Sequence, residues 1–149
     1  MKNSDHENEY QKAYSEFIKI NFSEKILNKI PSIKMPTPTA NGVTASVIKY
    51  CTFRGWHAER VNVTGRQKYD HKTKKMVWIK TNSRRGSADI HAIIEGKAVM
   101  IEVKVGKDRM SDKQKEYAAS VQKAGGEYLI IHSFDDFYNY LKTKNLLTI

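Results

Sequence analysis

Asp89 and the triplet Glu102-Val103-Lys104 stand thirteen residues apart. Two apolar runs carry them, Ile90-His91-Ala92-Ile93-Ile94 and Ala98-Val99-Met100-Ile101, joined by a short Glu95-Gly96-Lys97 break. Apolar runs on either side of a turn signal read as a β-hairpin or a closely connected strand pair. Period-2 alternation then puts Glu102 and Lys104 on one face of the second strand and Val103 on the other. Asp89 lies at the start of the partner strand, close enough to share a site. Two carboxylates converging there can hold Mg²⁺, a hard cation that takes oxygen ligands and keeps positions for water and a substrate phosphate. A lysine beside them can point at the water or at the scissile phosphate and offset charge as the transition state develops. The chemistry would be phosphodiester hydrolysis by a metal-activated water. The same residues have a plainer reading, with Asp89 punctuating a strand and Glu102 and Lys104 as an i,i+2 pair on a solvated edge.

The elements that must position these groups can be read outward from them. Ser111-Asp112-Lys113-Gln114 is a capping box, Ser111 as N-cap and Gln114 returning to its backbone N–H, so a helix is expected over 112–123. Gly125-Gly126 ends it, a β-rich run follows over 127–131, and the helix serves as crossover with Tyr117, Ala118 and Val121 toward the sheet. A last helix is expected over 134–143. Upstream, a helix over 43–53, a turn at Arg54-Gly55 and a strand over 56–63 precede a Lys-rich segment that reads as a hairpin excursion up to Asn82. Residues 1–30 read as an N-terminal helical arm with an apolar stripe of Tyr10, Tyr14, Phe17, Ile18 and Phe22, suited to packing on the core or on a second subunit. Residues 31–42 hold all three prolines and read as a linker, leaving 43–149 as the principal domain.

Charge points to a polyanionic partner. Lys and Arg number 26 against 16 acids, a formal net charge of +10, and such a field favours nucleic acid through counterion release and steering. From Arg66 to Asp89 eight basic residues (Arg66, Lys68, Lys72, Lys74, Lys75, Lys80, Arg84 and Arg85) face two acids, with Tyr69, His71 and Trp78 interleaved. Arg84 and Arg85 immediately precede Gly86 and the Asp89 segment. A second basic group, Lys104, Lys107, Arg109 and Lys113, surrounds the loop after the second strand, and both groups are expected to flank one groove. Any single lysine in such a hairpin is as readily a soluble edge. The lone Cys51 lies among apolar neighbours, which suggests a buried thiol. No run of eighteen apolar residues exists to span a membrane and the polar start does not resemble a signal peptide, so a cytoplasmic protein is expected.

Four segments together, Arg84-Arg85-Gly86-Ser87-Ala88-Asp89-Ile90, Ile101-Glu102-Val103-Lys104, Met110-Ser111-Asp112-Lys113-Gln114 and Ala124-Gly125-Gly126-Glu127-Tyr128, resemble the PD-(D/E)XK nuclease superfamily and more closely its VRR-NUC branch. The resemblance covers roughly residues 43–141 and rests on the ordered set rather than on the bare acid and Glu-X-Lys pattern, which is common by chance. It implies an α/β fold with a restriction-endonuclease-like core, αβββαβα, whose mixed central sheet is flanked by helices. It implies a Mg²⁺- or Mn²⁺-dependent endonuclease acting on DNA, with Asp89, Glu102 and the Val103 carbonyl as metal ligands, Lys104 as catalytic lysine and Gln114 as an auxiliary site residue. Arg60 matches an Arg of the family and is a substrate contact or a structural salt bridge. Arg84, Arg85, Lys107 and Arg109 would hold phosphates. Single-domain relatives of this kind belong to phage and mobile elements, are linked to branched-DNA cleavage in repair or recombination, and often act as homodimers. One departure stands out: such nucleases usually carry a Glu in the first core helix, and 43–53 contains no acid. Either that role is vacant or Glu59 fills it. The alternatives are a DNA-binding module that has lost turnover, and a sequence-specific restriction enzyme on the same fold.

Overall fold

The computed structural model describes residues 5–61, 65–80 and 83–147. In chain order the elements are α1 (Asp5–Asn21), α2 (Glu24–Leu27), α3 (Ala40–Phe53), β1 (His57–Arg60), β2 (Arg66–Asp70), β3 (Lys75–Ile79), β4 (Ile90–Ile94), β5 (Lys97–Val103), α4 (Asp112–Lys123), β6 (Glu127–Ile131) and α5 (Phe134–Thr143). The fold is α/β: a mixed four-stranded sheet in the order β1-β4-β5-β6, with β2 and β3 forming a separate two-stranded sheet.

β4 and β5 pair antiparallel, Ile90 opposite Ile101 and Ala92 opposite Val99. Glu95 and Gly96 between them both have positive φ, 48° and 76°, the left-handed pair that matches a two-residue turn to the strand twist. β6 runs parallel to β5, which requires a crossover, and α4 supplies it. Alternation divides the sheet's two faces. Ile90, Ala92, Ile94, Val99, Ile101, Val103 and Ile131 point to one side and are buried with Val43, Val47 and Tyr50 of α3 and Phe134, Phe137 and Leu141 of α5. This is the core. Among the described residues the other face is covered by α4, which has no fully buried residue, and Ile93 and Ile130 stay half exposed there.

The N-terminal stripe packs on that core. The Tyr10 ring lies 5.5 Å from Phe53 and 5.6 Å from Phe134, and Tyr14 and Phe17 also rest on Phe53. Phe22, beyond the end of α1, is exposed. α3 begins at Ala40, three residues before the sequence expectation, because the Thr39 hydroxyl accepts from the Gly42 N–H at 3.1 Å and caps a first turn that reads as linker by composition. β1 ends at Arg60, and Asn62 and Val63, placed in the strand by sequence, lie outside the described residues. Cys51 is buried, its thiol pushed by desolvation up to about 12, which leaves it unreactive at neutral pH. Among the described residues no helix is long and apolar enough to cross a membrane.

Candidate active site

β5 delivers the charged pair. Met100, Glu102 and Lys104 alternate onto the α4 face, and Glu102 and Lys104 are only 2% and 5% exposed. The Lys104 N–H donates to the Ile131 carbonyl at 2.8 Å, extending the β5–β6 ladder so that Lys104 stays on strand geometry. His132 Nδ1 donates to the Lys104 carbonyl. Asp89 enters from the other side: its carbonyl accepts from Val61 N–H at 2.8 Å, and its Oδ2 accepts from Val103 N–H at 2.9 Å. The carboxylate thus takes the place of the next backbone carbonyl in the β4–β5 ladder. A strand residue's N–H and C=O point the same way, so the Val103 carbonyl faces the edge where Asp89 sits.

Lys104 Nζ lies 3.1 Å from Glu102 Oε1 and 3.1 Å from Asp108 Oδ2. Glu102 Oε1 also accepts from Gln114 Nε2, and the Tyr128 hydroxyl stands 3.5 Å from Oε2. Gln114 closes the capping box and also reaches Glu102. Gln114 Oε1 accepts from the Ser111 N–H at 2.8 Å while Ser111 Oγ accepts from the Gln114 N–H. With its oxygen committed to the cap, the amide can turn only its NH₂ toward Glu102, and that is the end that donates to a carboxylate. Gln114 begins the half-buried stripe of α4, followed by Tyr117, Ala118 and Val121.

Electrostatics set the protonation states. Burial raises the Glu102 pKa, the nearby Asp89 charge raises it further, and the Lys104 hydrogen bond and charge pull the other way without cancelling the rise. Burial also works against the Lys104 ammonium, but Asp108 and Glu102 outweigh it and hold its pKa above the ordinary lysine value. Lys104 is therefore a fixed cation at neutral pH. Burying such a pair costs several kcal/mol of desolvation per ion, which a core of Ile and Val would avoid.

The segment before Asp89 ties the site to α4. Gly86 has φ 80°, and a Cβ built there would overlap the Lys113 carbonyl and the Gln114 nitrogen. Arg84 is exposed, its guanidinium carbon 5.6 Å above the Tyr117 ring. Tyr117 in turn bonds His91 Nε2 at 3.0 Å. Arg85, Lys107 and Arg109 are exposed, the last two in the loop that runs from Lys104 to α4. The Gly86 turn and that loop both end at the first turn of α4, which brings the two basic segments to one helix end. Lys113 is paired with Glu116. Arg60 donates to Asn41 Oδ1 at 2.8 Å, tying β1 to the start of α3; this is a neutral partner rather than a salt bridge. Glu59 lies opposite His91 and acts electrostatically on it, whereas the acids that act on Glu102 are Asp89 and Asp108.

Asp108, Tyr117, Tyr128 and His132 are not legible from sequence as site residues. Asp108 reads as one charge in a polar loop, and only its position four residues beyond Lys104 signals a pair. Asp89, the Glu102 carboxylate and the Val103 carbonyl form a set of hard oxygen donors suited to Mg²⁺ or Mn²⁺. No cluster of three or more His, Cys, Asp or Glu converges as a metal site among the described residues, and Mg²⁺ commonly uses only one or two carboxylates with water and phosphate. No protein-family model matches the chain, and no curated protein matches it.

Proposed function

We propose that this chain is a Mg²⁺- or Mn²⁺-dependent endonuclease that hydrolyses DNA phosphodiester bonds on a restriction-endonuclease-like core. The observation that carries the reading is the convergence of Asp89, Glu102 and Lys104 at the end of β5, with a buried ion pair whose desolvation cost an apolar core would avoid. The mixed sheet, with β5 parallel to β6 through α4, is compatible with such a core.

A bound divalent cation would supply Lewis acidity toward water and phosphate. The chain's own residues do the rest. Asp89 and Glu102 present carboxylate oxygens from adjacent strands, and the Val103 carbonyl presents a third oxygen. Gln114 and Tyr128 fix the Glu102 carboxylate so that it need not reorganise when a cation arrives. Lys104, beside Glu102 and Asp108, places positive charge where negative charge grows on the phosphoryl oxygens. Arg84, Arg85, Lys107 and Arg109 bind flanking phosphates.

A second reading keeps one observation on its side. α3 contains no acid, where the resembled nucleases usually carry a Glu, and this favours a DNA-binding module without turnover. Cleavage assays separate the two. With Mg²⁺ or Mn²⁺, wild type should cut DNA, and Lys104→Ala should slow cutting by roughly 10²- to 10³-fold, the usual cost of one transition-state charge partner. Asp89→Ala should abolish cutting while binding measured in Ca²⁺ stays close to wild type. Unimpaired cutting by Asp89→Ala would sink the site assignment, and binding without cutting on linear, single-stranded, flap and junction DNA would establish the binding module.

A further inference from the structure

We infer that the β2–β3 hairpin is a base-stacking arm, and that the DNA this chain takes carries unpaired nucleotides. The inference rests on the nucleic-acid reading of the site and adds a substrate class to it.

The hairpin forms its own sheet, in the register Gln67 opposite Trp78 and Tyr69 opposite Met76. Alternation therefore collects Gln67, Tyr69, Met76 and Trp78 on one face, and Lys68 with Val77 and Ile79 on the other. A lone two-stranded ribbon is marginal in water, and a fold built for stability would lay its apolar face on the main core. Here Trp78 is 60% exposed, Met76 57% and Tyr69 44%. The aromatic rings are displayed rather than used in packing. Trp78 lies across the backbone of Gly65, where a Cβ would strike its indole, and the Tyr69 ring meets His71 edge to face at 5.1 Å. Both rings therefore have a neighbour that holds them in place.

Charge selects the occupant. The hairpin carries Arg66, Lys68, Lys72, Lys74, Lys75 and Lys80 against the single acid Asp70. Asp70 is engaged in its own turn, accepting from the Lys72 N–H at 2.9 Å and the Thr73 hydroxyl at 2.8 Å. A surface this basic suits a polyanion. A continuous duplex offers phosphates but hides its base faces within the stack, leaving Trp78 and Tyr69 without a partner. A strand with unpaired bases offers both, phosphates to the lysines and base faces to the rings, the combination found in single-strand binding surfaces.

The test is anisotropy titration of a labelled single strand and of a blunt duplex of the same sequence, in Ca²⁺, so that no turnover is needed. Trp78→Ala and, separately, Tyr69→Ala should each weaken single-strand binding by about tenfold and duplex binding by no more than roughly twofold. Tryptophan fluorescence should fall on adding the single strand to wild type, and this quenching should vanish in Trp78→Ala, where Trp56 alone remains. Equal losses on both DNAs, or no loss on either, would overturn the inference. So would self-association that Trp78→Ala abolishes while DNA binding is unchanged, since the face would then belong to a second copy. An inert site with a Trp78-dependent preference for single strands would remove the nuclease reading alone. Cleavage with no such preference would remove the arm alone.

Discussion

Gln114 connects the stability of a helix to the aim of a carboxylate. Its Oε1 closes the capping box at Ser111 while its Nε2 reaches Glu102, so the two contributions can be separated by substituting one partner at a time. Ser111→Ala removes the hydroxyl acceptor but leaves the Gln114 amide in place; it should cost about 1 kcal/mol of stability and leave cleavage within a fewfold of wild type. Gln114→Ala should cost a similar amount of stability and in addition lower cleavage by roughly tenfold or more, because Glu102 loses the donor that orients it. Denaturant melts and single-turnover rates on both variants check this, and equal rates would reduce Gln114 to a cap. At this scale much of the arrangement is legible in the sequence. Alternation alone puts Glu102 and Lys104 on one face. Asp108 is not legible, because its approach to Lys104 depends on the path of the Val105 to Met110 loop, which no periodicity fixes.

Among the elements, the Gly86 turn decides where α4 begins relative to the sheet. Its positive φ would strain any other residue, and its backbone approaches the Lys113–Gln114 peptide closely enough to leave no room for a methyl group. Gly96 provides a control: its φ is 76°, yet nothing lies near the position of an added Cβ. Gly96→Ala should therefore cost only the conformational term, about 1 kcal/mol. Gly86→Ala should cost about 2 to 3 kcal/mol, since the overlap with α4 adds to that term. It should also reduce cleavage, because moving the first turn of α4 moves Gln114. Thermal melts of the two variants give the comparison, and equal shifts would mean that the turn yields without moving the helix. The ends of α4, β6 and α5 agree with the sequence expectation because each helix has an explicit cap, Ser111 and Ser133, and Gly125 marks the turn between. The start of α3 departs from that expectation because Thr39 and Gly42 carry a cap inside a stretch dominated by the surrounding prolines.

At the scale of the whole molecule, the excess of 26 basic over 16 acidic residues favours a polyanionic partner without saying where one would bind, since net charge is a sum and binding depends on which charges reach phosphates. The structure separates two candidate tracks. Arg84 is steadied over the Tyr117 ring beside the site, with Arg85 next to it; Lys72 and Lys74 sit at the hairpin turn between β2 and β3. Removing one cation that neutralises a phosphate should lower the slope of log affinity against log salt by about 0.9 on duplex and about 0.7 on a single strand. Replacing Arg84 and Arg85 together with Ala should therefore weaken binding to every DNA tested and flatten the slope by about 1 to 2, because phosphates next to the scissile bond are present whatever the substrate. Replacing Lys72 and Lys74 should flatten the slope on single-stranded or forked DNA and leave it nearly unchanged on blunt duplex. Titrations across a salt series check both. An unchanged slope after removal of both arginines would move the binding track away from the Gly86 turn, and with it the argument that the basic segment leads into the Asp89 site.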